Sequence, residues 1–232
     1  APGYVNPHTG FIEMGGAIRR FDNFPMKAWL EAKTSRPVTV ENDANCVLLA
    51  ERWLGKAKKM NDFLVLTIGT GIGGAIFCNG KLVLGKRFRA GEFGYMFTDR
   101  PGSRHVTNYT MNTTCTLRVL RKRYADSLGQ LLDAVTGEAV FDAYEAGDRA
   151  VLRLVDDFLN GIATGLYNLV NLFDPETIFI GGGIIERPGF LALLREHLRW
   201  FGIDDFVCAA SQGNDAGLLG AVYHFNQQNA TV

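Results

Sequence analysis

Four glycines crowded into the junction of two apolar runs set the first limit on what this chain can fold into. Phe63-Leu-Val-Leu-Thr-Ile68 and Ile72 to Phe77 are short runs rich in β-formers, and Gly69, Gly71, Gly73 and Gly74 lie around their join. The pattern predicts strand, tight glycine turn, strand. Asn79-Gly80 follows, the dipeptide best suited to a type I′ turn because both central residues need positive φ, so a third strand through Leu82-Val83-Leu84 is expected to pair back. Gly69-x-Gly71-x-x-Gly74 also matches the dinucleotide-binding fingerprint, but that fingerprint needs a helix to begin at the glycines so that its N-terminus faces the pyrophosphate. A strand pattern follows instead, and no Lys-Ser/Thr pair completes a nucleotide P-loop. What is left is a hairpin whose tip exposes consecutive backbone N–H groups beside Thr70. Such a tip can bind phosphate oxygens, because no Cβ blocks their approach, or can simply be a tight turn.

With 232 residues, 47% of them hydrophobic, the chain can bury a substantial core as one large domain or two small ones. Lysine plus arginine (24) equals aspartate plus glutamate (24), so nothing in the charge favours a nucleic-acid partner. No apolar stretch approaches the ~20 residues that span a bilayer, and Ala1-Pro-Gly-Tyr-Val-Asn-Pro7 has neither the basic nor the apolar region of a signal peptide. Cys46, Cys78, Cys115 and Cys208 are scattered, which predicts reduced core cysteines in a cytoplasmic protein and no zinc site by spacing.

Along the chain, Pro25 to Ala32 predicts a short helix with proline in its first turn. Pro37 to Glu41 predicts a strand running into Asn42-Asp43, after which apolar residues at helical spacing continue to Gly55. Asp43 therefore stands at a strand-to-helix junction. There Asn42 or Asp43 either simply caps the helix, or the carboxylate, at the carboxyl end of a strand, meets a substrate. Glu92 sits between Gly91 and Gly94 in a loop, either solvated or a ligand-binding carboxylate. Asp99 to Thr114 predicts a polar loop, with helices over Leu117–Leu128 and Glu138–Ala146. Asp148 to Phe173 has a broad apolar face ended by Asp174-Pro175 and predicts the central core helix. Thr177 to Ile180 then predicts a buried strand leading into Gly181-Gly182-Gly183, with a helix over Pro188–Trp200 and a small-residue helix from Ala216 to His224.

Taken together, Asn-Asp-Ala-Asn at 42–45, Gly-Thr-Gly-Ile-Gly-Gly at 69–74, Gly-Glu-Phe-Gly at 91–94, Ile-Gly-Gly-Gly at 180–183 and Ala-Gly-Leu-Leu-Gly-Ala at 216–221 occur in the order and spacing of the ROK family. That family contains sugar kinases and sugar-responsive repressors. The resemblance covers nearly the whole chain and implies an α/β actin-like ATPase (ribonuclease H-like) fold. It implies a partial N-terminal sugar-binding domain over residues 1–60 and a C-terminal nucleotide-binding and dimerisation domain over 61–232. By resemblance, Asp43 is the general base that takes the proton of a sugar hydroxyl attacking the γ-phosphate of ATP. Asn42, Glu92, Gly16 and Tyr95 meet the sugar. Gly69, Thr70, Gly71 and Gly73 hold phosphate, Gly181, Gly182 and Gly183 line the adenosine, and Mg²⁺ bridges the phosphates. A cytoplasmic homodimer is the implied assembly.

The chain departs from the family pattern in three places. It begins beyond the usual Asp-x-Gly-Gly-Thr phosphate loop, which predicts that half of the ATP phosphate site is absent from the chain as given. Tyr95 occupies the position of the family's zinc-binding histidine and only Cys115 remains of its cysteine cluster, so no zinc is expected. Gly15-Gly16-Ala17-Ile18 replaces an asparagine-leucine pair that meets the sugar, which either opens room for a β-glucoside or disaccharide or is a plain glycine turn. The function implied is ATP-dependent phosphorylation of a hexose or β-glucoside hydroxyl. The alternatives are the ligand domain of a sugar-sensing repressor, in which case nucleic acid is a partner, and a sugar-binding remnant without catalysis.

Overall fold

The computed structural model describes residues 1–229. In chain order the elements are β1 (Tyr4–Asn6), β2 (Phe11–Met14), α1 (Met26–Thr34), α2 (Asp43–Trp53), β3 (Phe63–Ile68), β4 (Ile72–Cys78) and β5 (Lys81–Leu82). Then come α3 (Met111–Thr114), α4 (Leu117–Ser127), α5 (Gly137–Glu145), α6 (Arg149–Phe173), β6 (Thr177–Gly181), α7 (Phe190–Arg199), β7 (Val207–Ala209) and α8 (Ala216–Asn229), with short 3₁₀ turns between some of them. β1 and β2 pair antiparallel, and the other five strands form one mixed sheet in the order β5-β4-β3-β6-β7. Two compact units share the chain. One holds Ala1–Val65, Gly74–Gly91 and residues 210–229; the other holds Leu66–Gly73 and Glu92–Ala209. No helix among the described residues is long and apolar enough to cross a membrane.

In the first unit the hairpin β4–β5 turns on Asn79 (φ 52°) and Gly80 (φ 74°), with Cys78 opposite Lys81 and Phe77 opposite Leu82. This is the type I′ geometry that the dipeptide predicts. The third strand is the two residues Lys81–Leu82, so of the expected Leu82-Val83-Leu84 only Leu82 is in the ladder, although Val83 N–H still donates to the Ile76 carbonyl at 2.9 Å. Val5, Ile12, Met26 and Val40 form a buried cluster that Phe21, Phe24 and Leu30 pack against. Helix α1 begins after Pro25, whose ring fixes φ and whose missing N–H is no loss at a helix start. Pro37 to Glu41 is extended but carries no strand ladder among the described residues. Val38 N–H goes to the side chain of Glu31 (3.1 Å) instead. Val40 and Glu41 are buried, yet a strand also requires a hydrogen-bonded neighbour.

Helices α2 and α8 pack backbone against backbone. A Cβ built on Gly220 would lie 1.8 Å from the carbonyl oxygen of Cys46, so only glycine fits there. Ala216, Gly220 and His224, four residues apart, make the buried face of α8. The buried carboxylate of Glu51 secures the strand-to-helix approach of α8, accepting from Ser211 N–H (2.5 Å), Ser211 Oγ–H (2.9 Å) and Lys56 N–H (3.1 Å).

In the second unit α6 spans 25 residues. Asp148 caps it by accepting from Ala150 N–H (2.8 Å), and Asp174 in the left-handed region (φ 45°) ends it before Pro175. Its face from Val151 to Val170 is buried, and Phe158 meets Phe141, which in turn meets Phe190, in edge-to-face contacts at 6.4 and 5.8 Å. Strand β6 is buried along its whole length and pairs parallel with β7, which matches its unbroken apolar run.

Gly220→Ala is expected to lower the unfolding free energy by about 2 kcal/mol or more. Gly217→Ala, in the same helix with nothing within 4 Å of its Cβ position, should change it by less than about 1 kcal/mol. Urea unfolding of the two variants checks both; equal effects would mean that the α2–α8 approach tolerates a methyl group.

Candidate functional site

The glycine turn between β3 and β4 is fixed by its neighbours, and two of its donors are left over. Gly69 N–H closes onto the Gly71 carbonyl (3.0 Å), the Gly69 carbonyl accepts from Leu117 N–H (3.1 Å), and Ile72 N–H donates to Asn112 Oδ1 (2.8 Å). Among the described residues no acceptor faces the N–H groups of Thr70 and Gly71. A Cβ on Gly69 would meet nothing within 4 Å, and the same holds for Gly183. Neither glycine is required by packing. Both line one cavity of about 460 Å³, together with Thr70, Arg118 and Arg121. A second cavity of about 600 Å³ shares Leu117, Arg121, Gly183 and Ile184 with the first and runs on to Phe141 and Arg187. Arg121 is pinned by Nε to the Val135 carbonyl (2.7 Å) and by Nη2 to that of Leu132 (3.3 Å). Arg187 lies over the Phe141 ring and pairs with Asp142 and Glu145 at 2.8 and 2.9 Å.

The three glycines at the end of β6 divide their tasks. Gly181 ends the strand. Gly182 has φ +90°, and a Cβ on it would sit 2.3 Å from the Ile68 carbonyl oxygen. It is the residue that lets the end of β6 close onto the end of β3. Gly183 faces the cavity.

In the other unit the junction at 41–43 sorts its side chains by function. Glu41 is buried, and its Oε1 accepts from Asn42 N–H (2.7 Å) and Asn45 Nδ2 (2.9 Å) while Oε2 lies 3.8 Å from His224 Nδ1. Asn42 is the N-cap of α2. Its Oδ1 accepts from Ala44 and Asn45 N–H (2.8 and 3.1 Å), and its Nδ2 donates to the Gly3 carbonyl (2.9 Å), which leaves one amide hydrogen for a ligand. Asp43 is exposed in the first helical turn, where the macrodipole favours a negative charge. Among the described residues its Oδ1 accepts only the adjacent Ala44 N–H (3.0 Å), and the residue lines a cavity of about 400 Å³ with Met26, Leu30 and His224. Cys46 lines it too. Burial pushes that thiol up to about 12, so it stays protonated and is no nucleophile near neutral pH.

Gly16 has φ +59° and stands against Gly3, so its backbone conformation alone accounts for the glycine. Glu92 opens a 3₁₀ turn over Phe93–Tyr95, closed by Tyr95 N–H to the Glu92 carbonyl (3.1 Å), and Tyr95 is about two-fifths exposed. The following loop is held by threonine hydroxyls on backbone carbonyls, Thr113 Oγ1 to Thr107 (2.8 Å) and Thr114 Oγ1 to Thr110 (3.0 Å). Cys115 packs at Thr98, Thr114 and Gly161. Among the described residues no three His, Cys, Asp or Glu side chains converge as metal ligands. Thus Gly69, Thr70 and Gly183 meet at one cavity, Asn42 and Asp43 at one helix start, and Glu92 and Tyr95 in one turn. Glu41, Arg121 and Asn112 were not singled out from sequence. A carboxylate one residue before a cap was a usable signal for Glu41, whereas Asn112 lies in a threonine-rich stretch with no pattern to mark it.

The sequence profile of the ROK family matches residues 1–228. A Klebsiella pneumoniae protein named beta-glucoside kinase is 70% identical over 227 residues, covering 98% of this chain and 76% of that protein. Among solved structures, a Listeria monocytogenes protein provisionally described as an N-acetylmannosamine kinase is 61% identical. It superposes with a TM-score of 0.93 over 98% of this chain and 79% of its own. A Streptomyces griseus ROK family glucokinase, solved with glucose and AMPPNP, is 25% identical with a TM-score of 0.80, covering 95% of this chain and 78% of its own. The α/β fold is that of the actin-like ATPase sugar kinases.

Asn42→Ala should destabilise the protein by about 1–2 kcal/mol through loss of the cap, and Asn42→Asp, which keeps the acceptor, by less. Thermal and urea unfolding of the pair measures this; equal losses would show that the Gly3 bond and not the cap carries the effect.

Proposed function

We propose that this chain, which belongs to the ROK family, transfers the γ-phosphoryl group of ATP to a hydroxyl of a β-glucoside or related hexose. The observation that carries the reading is the pair of glycines, Gly69 and Gly183, whose Cβ positions open onto one cavity next to the unused N–H groups of Thr70 and Gly71. Glycine where packing does not ask for it, beside donors with nothing to donate to, fits an anionic ligand held by backbone. The continuation of that cavity to Phe141 and Arg187 offers an apolar wall and polar edge for a nucleobase. Identity of 70% to a protein named beta-glucoside kinase supports the substrate class.

In this reading Gly69, Thr70, Gly71 and Gly73 hold phosphate, and Gly181, Gly182 and Gly183 shape the adenosine end. Mg²⁺ bound with ATP would supply charge neutralisation at the phosphates. Phosphoryl transfer asks little covalent help of the protein, so positioning and charge neutralisation dominate. Asp43, exposed and tied by one hydrogen bond to its own helix start, accepts the proton of the attacking sugar hydroxyl. Asn42, Glu92, Tyr95 and the Gly16 turn supply contacts to the sugar. Residues 1–60 form the sugar-binding part and 61–232 the nucleotide-binding part of a cytoplasmic homodimer.

The deciding assay follows ATP-dependent phosphorylation of cellobiose, glucose and N-acetylmannosamine by the full-length protein. A β-glucoside is expected to be the best substrate, and exclusive turnover of N-acetylmannosamine would sink the substrate assignment. Asp43→Asn should lower kcat by ~10²-fold while sugar binding survives. Gly69→Ala and Gly183→Ala should unfold at the wild-type temperature yet raise KM for ATP ~10-fold, because each methyl group occupies cavity and not packing. If both leave KM for ATP unchanged, the cavity is not the nucleotide site.

A further inference from the structure

We infer that Asn112 is a positioning residue that fixes the tip of the glycine turn against the turn carrying Glu92, so that one amide sets the spacing of both. The inference rests on the kinase reading. Of the four N–H groups from Gly69 to Ile72, the inner two are unused and the outer two are tied down, Gly69 to the Gly71 carbonyl and Ile72 to Asn112 Oδ1 at 2.8 Å. The Ile72 bond is the side-chain anchor at the β4 side of the tip. The same oxygen lies 3.4 Å from where a Cβ on Gly71 would stand.

The amide also reaches the other turn. A Cβ on Gly94 would fall 2.3 Å from Asn112 Nδ2, so the side chain rests directly on the glycine two residues past Glu92. Asn112 itself stands on a rigid base. Helix α3 is fixed by Met111 N–H to the Met96 carbonyl (2.9 Å) and Cys115 N–H to the Met111 carbonyl (2.8 Å), and the fully buried Met111 packs against Gly165. Two positions beyond Cys115 the same stretch supplies Leu117 N–H to the Gly69 carbonyl (3.1 Å). Residues 112–117 therefore hold the glycine turn from both sides, with Asn112 as the side chain in that brace that also touches the Glu92 turn. Rotation of the tip would misdirect the Thr70 and Gly71 N–H groups, and in phosphoryl transfer a small misplacement is costly because alignment is most of the catalysis.

The test compares wild type, Asn112→Ala and Asn112→Asp in the full-length protein by three readouts: amide hydrogen exchange at Ile72, steady-state kinetics, and binding of AMPPNP and of the sugar. Asn112→Ala is expected to speed Ile72 exchange ~10-fold and lower kcat ~10-fold, with AMPPNP and sugar binding both weakened because both turns lose the same brace, and with a melting temperature only a few degrees below wild type. Asn112→Asp retains an acceptor, so it should return Ile72 exchange toward wild type while its added charge weakens AMPPNP binding. Wild-type exchange and kcat within twofold in Asn112→Ala would overturn the inference. So would a loss of kcat that only follows a large drop in melting temperature, which marks a purely structural residue. If the wild type phosphorylates no sugar, the kinase reading fails on its own, and the exchange and AMPPNP measurements still decide whether Asn112 holds the tip.

Discussion

The contact between Gly182 and the Ile68 carbonyl is the constraint on which the glycine-lined cavity depends. A side chain at 182 would overlap that oxygen, at 2.3 Å from Cβ, and would force the end of β6 away from the end of β3. Gly183 and Gly69 then would no longer face the same space. The rest of the arrangement follows from two strands buried along nearly all of their length, which leave their carboxyl ends no freedom except in the loops that follow. A rigid floor with glycine at its rim lets backbone donors approach a polyanion without side-chain entropy to lose on binding.

Glycine does three different things in this chain, and the letter alone does not say which. At 220 and 182 it permits backbones to touch, at 80 and 16 it permits positive φ, and at 69 and 183 it leaves space open. The first two kinds are properties of the fold, and the third is a property of whatever fills the space. Separating them needs the positions of neighbouring atoms, which is why the motif alone left phosphate binding and a tight turn equally open.

Much of the fold was legible where the chemistry is local. Asn79-Gly80 specified its turn, Asn42 and Asp148 their helix starts, and the apolar period of α6 its length, because each depends on residues within a few positions. The extended run at 37–41 shows the limit, since a ladder depends on a partner strand that no local pattern announces. Asn112 lies further out of reach. Its hydrogen bond to Ile72 spans 40 residues, and an asparagine among threonines looks like any polar loop residue. For the candidate site, sequence named the residues at the ends of strands and helices but not the braces behind them.

At residues 41–43 three consecutive polar side chains turn to different tasks, Glu41 into the protein, Asn42 onto its own helix and Asp43 outward. Stability is vested in the first two and the proposed chemistry in the third. A lineage carrying this junction can therefore lose reactivity through a single change at 43 and still inherit an intact, ligand-sized scaffold. Such a descendant would be free to take up a signalling or storage role without first having to relearn how to fold.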